Sequence, residues 1–272
     1  MSPDLAYATE GLALLDAAMI WLVNLPIWKG ALLMIGLPVL VSIVGVLMVN
    51  AVVGSATLIE NNVVGGAKIA FLAQVFCALL AFVLVDGAIR YNQARAHIQT
   101  EASALRLLVE IVEQVPGPKA AAMRSGVRHY VQAVVTHEFQ TMQYGAESPT
   151  AHAALVAMLE GYMAIDAKDE HERLNLLQAD QLVVKTLQSR AGRLNAVRPG
   201  LKTVIWTVVA FNVMLAITFN WFFGNPSPSM QVLMAALLTA AIMIVTYASL
   251  LLYHPFSGEM AISPRPYAAL YP

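Results

Sequence analysis

From Thr203 to Gly258 the chain runs 56 residues without an Asp, Glu, Lys or Arg, interrupted only by the turn-forming stretch Gly224-Asn225-Pro226-Ser227-Pro228-Ser229. A helix in water must show it a polar face, whereas a segment dissolved in hydrocarbon needs about 20 apolar residues and no unpaired charge. Each half of the stretch meets the second requirement, which predicts two membrane spans joined by a tight hairpin. Charge in the rest of the chain is segregated in the same sense. Of 33 charged side chains, 24 (13 basic, 11 acidic) fall between Arg90 and Lys202, and nine are spread over everything else. The charged fraction is 12% and the mean hydropathy +0.65, against about 25% charged residues in an ordinary soluble domain. The chain therefore alternates membrane, water, membrane.

The first residues include Asp4, Glu10 and Asp16 where a leader peptide needs a basic patch, and no small-residue cleavage site follows an apolar core, so no cleaved signal is expected. A net charge of −1 and the lack of a basic run interleaved with aromatics set nucleic acid aside. The single Cys77 falls inside a predicted span, which excludes an intrachain disulfide framework or a cysteine-built zinc site.

Leu12 to Trp28 is apolar but carries Asp16, Asn24 and Pro26, with Trp21 and Trp28 placed to favour the headgroup layer, and reads as an interfacial helix within a segment 1–29, a short extra span being the competing reading. Residues 30–89 form the first transmembrane hairpin. Its first span runs from Gly30 to about Gly54 and should kink at Pro38. Its second runs from about Ile69 to Ala88, after a polar turn holding Glu60, Asn61, Asn62, Gly65 and Gly66. Residues 90–200 read as a helical domain of four amphipathic helices, with breaks at Pro116-Gly117-Pro118, Gly145 to Pro149 and Ile165 to Lys168. Ile98, Ala102, Leu105, Val109 and Val112 make one stripe of period 3.6, and Val127, Tyr130, Val131 and Val134 the next. Nothing breaks the chain between Ile69 and Val115, so the second span can continue as one rod of roughly 70 Å. Residues 201–254 hold the second hairpin, with Trp206 and Trp221 suited to the two aromatic belts, and 255–272 a C-terminal tail. Arg90, Arg95, Arg190, Arg193, Arg198 and Lys202 flank the spans on one side, against only Lys68 on the other. This predicts that the helical domain and both termini are cytoplasmic.

Specific residues now meet this layout. Asn62-Val63-Val64-Gly65 precedes the second span; Tyr91-Asn92-Gln93-Ala94 and Glu101-Ala102 follow it; Tyr130-Val131-Gln132-Ala133-Val134-Val135 leads to Glu138-Phe139. His254-Pro255-Phe256-Ser257-Gly258, followed by Ser263-Pro264, resembles an Arg-Pro-Phe-Ser-Gly family ending, and Pro255 to Gly258 is its most specific element. Over roughly Ala51 to Tyr267 the chain resembles the bacterial bestrophin-like membrane proteins, once catalogued as a domain of unknown function. The resemblance implies an all-α membrane protein with four transmembrane helices, two on either side of a cytoplasmic helical domain. It also implies a homo-oligomer, pentameric as in true bestrophins, whose second spans line an ion pore. The chain departs from those channels in lacking a long tail after the fourth span, and Asp166 to Glu172 does not reproduce their calcium clasp.

Candidate pore residues lie on the second span. Phe71, Val75, Ala78, Phe82 and Val85 recur every three or four positions, and around a symmetry axis they would form a hydrophobic constriction; the competing reading is ordinary helix or lipid packing. Asp86 is the single acid inside a confident span, and Arg90, one turn on, can pair with it. Rings of Arg90 and Asp86 favour opposite ions, so selectivity stays open. Thr239, Thr246, Ser249 and Tyr253 share a face of the fourth span and read as interhelical packing, as do Asn212 and Asn220 on the third. Asp166, Asp169, Glu170 and Glu172 read as acids at a helix start, with Asp166 its cap, rather than a cation site. His137-Glu138 and His171-Glu172 begin zinc-protease patterns that Thr141 and Asn175 break. No catalytic or cofactor motif is found, so no enzyme is expected.

Two functions from different classes remain. One is a bestrophin-like ion channel in contact with membrane lipid. The other is a non-conducting scaffold or accessory subunit whose helical domain binds a protein partner. A transporter fits less well, because neither an internal repeat nor paired broken helices occur.

Overall fold

The backbone at Gly54 has φ = +84°, a left-handed value that a side chain would resist, and it alone separates the first long helix from the second. The computed structural model describes residues 14–114, 118–165, 169–197, 202–268 and 270, and among these the regular structure is helical throughout. Eight main helices are used below: α1 (Leu14–Asn24), α2 (Ile27–Val53), α3 (Ser55–Val112), α4 (Pro118–Ala133), α5 (Pro149–Met163), α6 (Glu170–Val197), α7 (Lys202–Asn220) and α8 (Pro228–Tyr253). The described chain divides into two units. One comprises Trp21–Ile89 with Pro199–Tyr253; the other comprises Arg90–Arg198 with the flanking terminal segments.

The first unit carries the apolar helices. By length and composition α2, α3 and α8 can each cross a bilayer, and α7 contributes a shorter apolar run, Val204–Asn220. The response to Pro38 is a π turn, Leu32–Gly36, just upstream of it. The wider turn takes up the missing N–H and ring clash that a proline brings to a helix interior. The expected polar turn at residues 60–66 does not exist: Glu60, Asn61, Asn62, Gly65 and Gly66 lie within α3, which begins at Ser55. Gly54 makes the break between the two helices, so the polar residues need not be loop. Asn62 instead holds the other hairpin, donating from Nδ2 to the Gly224 carbonyl at 2.8 Å and accepting the Gly224 N–H at 3.0 Å.

Close packing in this unit follows the rule that helices in lipid approach through small residues. Gly45 makes room for the Trp221 indole, and Gly30 for the Tyr247 phenol, whose hydroxyl donates to the Ile27 carbonyl at 3.3 Å. Thr239 donates to Ser42 at 3.0 Å with both residues buried. Trp206 and Trp221 do not both project to the interfacial layers as belts would: Trp206 is buried edge-on to Tyr253 at 5.6 Å, and the indole nitrogen of Trp221 is buried. Asn212 bonds within its own helix, to the Val208 carbonyl at 2.9 Å, and not to a neighbour.

The second unit is built on the two stripes legible in the sequence. Ile98, Ala102, Leu105 and Val112 of α3 are buried with Val127, Tyr130, Val131 and Val134, and Val109 packs against them. Beyond α4 the helix widens into a second π turn, Val134–Glu138, and closes at Phe139–Met142. Ser148 then caps α5, its hydroxyl accepting the Ala151 N–H at 3.1 Å with Pro149 in the first turn. At the start of α6 the cap is Asp169, which accepts the Glu172 N–H at 2.8 Å. Asp166, given that role from sequence, lies outside the described residues, as does the break at 115–117.

Candidate functional site

α3 has two faces within the membrane unit. Phe76, Leu80 and Val83 are buried by neighbouring helices, and a β-carbon on Gly87 would stand 3.0 Å from the Tyr253 ring. The other face is bare. Phe71 is 71% exposed and Phe82 66%, and Val75, Ala78 and Val85 are exposed with them, so the candidate constriction residues contact little of their own chain. Asp86 and Arg90, one and two turns beyond Phe82, are half-buried. The Asp86 carboxylate accepts a hydrogen bond of 2.6 Å from the Tyr253 hydroxyl. An ionisable group on an apolar stretch of α3 is thus held by a phenol of α8, which fixes its direction.

Where α3, α7 and α8 meet near the Gly224 hairpin there is a cavity of about 400 Å³ lined by Asn62, Asn220, Asn225 and Gln231 among apolar neighbours. Gln231 is only 6% exposed; its Nε2 donates to the Phe223 carbonyl at 2.5 Å, while its Oε1 and the Nδ2 of Asn220 are buried with no hydrogen-bond partner among the described residues. Each such group left unmet costs about 1–3 kcal/mol.

A second assembly lies in the helical unit, built from residues that no motif in the sequence marks as a site. Arg193 is fully buried and donates from Nε to Glu101 at 3.0 Å, from Nη2 to Glu101 at 3.2 Å and to Glu138 at 2.9 Å, and from Nη1 to the Met142 sulfur at 3.1 Å. Glu138 also receives Arg190 at 2.5 Å, Arg190 reaches Glu147 at 3.0 Å, and Tyr130 donates to Glu101 at 2.6 Å. Burial pulls the Arg193 guanidinium down, but the Glu101 carboxylate and then the other anions outweigh it and hold the group well above its ordinary value. Burial, then the Glu101 charge, pushes the Tyr130 phenol up. The π turn Val134–Glu138 lies where Glu138 must face inward.

The Pro255–Gly258 motif closes on this same core. Phe256 is buried edge-on to Phe139 at 5.8 Å, and Ser257 is buried, its hydroxyl 3.5 Å from the Gln143 carbonyl. Gly258, at φ = +69°, turns the chain so that the Ile262 N–H reaches the Pro255 carbonyl at 2.8 Å. That turn needs glycine. The tail then places Tyr267 beside Phe139 at 6.2 Å and next to Glu101, outside good hydrogen-bonding geometry.

Long apolar helices, membrane-style small-residue contacts and a separate polar-cored bundle define an all-helical membrane protein. The model of the bestrophin-like domain matches residues 36–267, and the chain belongs to that family. The crystal structure of a membrane protein superposes with a TM-score of 0.67, covering 88% of this chain and 95% of the other at 13% identity, a likeness of fold alone. No curated protein matches the sequence.

Proposed function

We propose that this protein is an oligomeric ion channel of the inner membrane, with four spans (α2, α3, α7 and α8) and with α3 lining the pore. The observation that carries this reading is the asymmetry of α3. Its Phe71–Phe82 face is left uncovered by the chain, while Phe76, Leu80 and Val83 on the opposite side are buried. In a ring of subunits that face supplies stacked hydrophobic collars, which gate by dewetting. Asp86 and Arg90 stand beyond the collars at the end marked by basic residues, which the positive-inside rule assigns to the cytoplasm along with the helical unit and both termini. Assembly draws support from a second feature. Leu174, Leu177, Val184 and Leu187 are large, apolar and more than a third exposed along one side of α6, a pattern suited to subunit contact. No catalytic role is assigned to any residue.

The test is purified protein in planar bilayers, with subunit number measured in parallel by native mass spectrometry. Ring-sized oligomers and unitary currents are expected. A monomer, or an oligomer silent under every salt and voltage tried, sinks the channel. The α6 stripe favours one other reading: a non-conducting scaffold that docks a protein partner there. Silence together with loss of partner capture on Leu177→Glu and Val184→Glu substitution would select it.

A further inference from the structure

The amide-lined cavity does not end at the hairpin. An apolar groove of about 280 Å³ continues from it between α3 and α8, with Ala216 of α7, and the two share Ile69 and Leu238. Along α3 the groove is floored by Leu72, Phe76 and Leu80, and its far wall on α8 reaches Val245. From Ile69 to Leu80 the helix rises about 16 Å, the depth of one leaflet of a hydrocarbon core about 30 Å thick. Together the two spaces have the size of a small-molecule site. Their chemistry is graded: wholly apolar along the groove, amide-lined at one end, and without a charged residue at either.

The polar end is short of two partners, and the kind of each is defined. Gln231 cannot reverse its amide, because Nε2 is committed to the Phe223 carbonyl, so its buried Oε1 awaits a donor. The buried Nδ2 of Asn220 awaits an acceptor. Asn62 is already spent on Gly224 and supplies neither. Ester carbonyls and hydroxyls offer this pair of complements without formal charge, and in a membrane-embedded protein they come attached to acyl chains.

We infer that this continuous space is a site for a phospholipid with a hydroxylated head group, with an acyl chain along Ile69–Leu80, an ester carbonyl accepting from Asn220 and a head-group hydroxyl donating to Gln231. The site is distinct from the bare Phe71–Phe82 face and does not depend on conduction. A lipid seated there ties the Gly224 hairpin to the middle of α3.

Cys77 lines the groove, is exposed, and is the single cysteine, so its alkylation reports occupancy. Full-length protein in detergent is titrated with dioleoyl phosphatidylglycerol and treated with N-ethylmaleimide, and adduct is read by intact mass. The lipid should slow alkylation saturably. Asn220→Leu should raise the half-saturating lipid concentration about tenfold, the worth of one buried hydrogen bond. Leu238→Trp, which fills the waist shared by the two cavities, should abolish the lipid effect, and it keeps the test decisive should the Asn220 variant fold poorly. No slowing at any lipid level overturns the site. So does equal protection by hexadecane with Asn220→Leu titrating like the parent, since the amides would then play no part. Protection that follows protein concentration in the absence of lipid also overturns it, assigning the groove to a second copy of the chain.

Discussion

Arg193 grips Glu101 through both Nε and Nη2, at 3.0 and 3.2 Å, across 92 residues of sequence, with neither side chain reachable by solvent. The pair joins α6 to the second half of α3, and Glu138 draws the end of the α4 segment to the same guanidinium. Such a cluster specifies which helices meet and in what register, whatever its net worth against an apolar core.

Removing one member should therefore be severe. Arg193→Met leaves two buried carboxylates facing each other, and breaking a buried pair from one side typically costs about 3–5 kcal/mol. Circular dichroism melts of the detergent-solubilised protein should show an earlier loss of helix in Arg193→Met than in Arg173→Met, whose exposed pair with Glu170 contributes little. Equal melting would remove Arg193 from the core.

Alkaline pH probes the same core through its phenols. Burial, reinforced by Glu101, pushes Tyr130 up; burial pushes Tyr267 up against the pull of Arg193; and burial with the Asp180 bond pushes Tyr162 up. In the unfolded chain these phenols lose their protons near pH 10, whereas the folded protein keeps them. The folded state then binds more protons, so their contribution is complete below about pH 10 and falls as pH rises further. Absorbance at 295 nm should show these three of nine tyrosines ionising only with the loss of helix. A single smooth titration of all nine, with helix intact, would contradict the packing.

Much of this architecture was written in residue spacing, and the exceptions have physical causes. The stripes at Ile98–Val112 and Val127–Val134 were legible because burial repeats every 3.6 residues. Glu101 sits on the first stripe, three residues after Ile98 and four before Leu105. Arg190 and Arg193 share the buried side of α6 with Val183, Leu194 and Val197. Acids and arginines on core stripes of different helices were the signal of a buried cluster, and counting Arg190 and Arg193 only as orientation charges hid it. Glu60 to Gly66 has the composition of a turn yet lies within α3, because the break between the two helices is met at Gly54, whose φ is +84°. The bare face of α3 had the right spacing in the sequence, but periodicity marks two opposite faces alike, and only packing distinguishes the covered one. The amide-lined cavity had no sequence signal, since Asn62, Asn220 and Gln231 meet only after the hairpin folds back.

Asn62 makes a sharper test of that hairpin. Its side chain replaces the backbone partners that Gly224 would otherwise lack, and Gly224 has no room for a β-carbon, which would stand 2.5 Å from the Ile59 nitrogen. Asn62→Ala should cost about 2 kcal/mol, two hydrogen bonds of ordinary worth. Limited proteolysis should cut near residues 224–229 faster than in the parent, and an unchanged rate would show that the clamp does not hold the loop.

The pore reading stands or falls on α3. Phe82 is among the bulkiest exposed residues of the candidate face, and it lies one turn before Asp86, whose direction the Tyr253 hydroxyl sets. Phe82→Ala should widen the constriction and stabilise water within it, raising unitary conductance several-fold in planar bilayers. It should leave the melting temperature nearly unchanged, because a side chain that the chain does not cover leaves no cavity behind. A core truncation on the opposite face, Phe76→Ala, should do the reverse: about 3–5 kcal/mol of lost stability with no wider pore. Arg90→Glu completes the set by charge rather than size. Under a salt gradient it should move the reversal potential toward that of the cation, and Tyr253→Phe, which frees Asp86 from its phenol, should shift it in a direction that reports which way the carboxylate turns. Currents indifferent to Phe82 and Arg90 together would place the conduction path, or the function itself, elsewhere than on this helix.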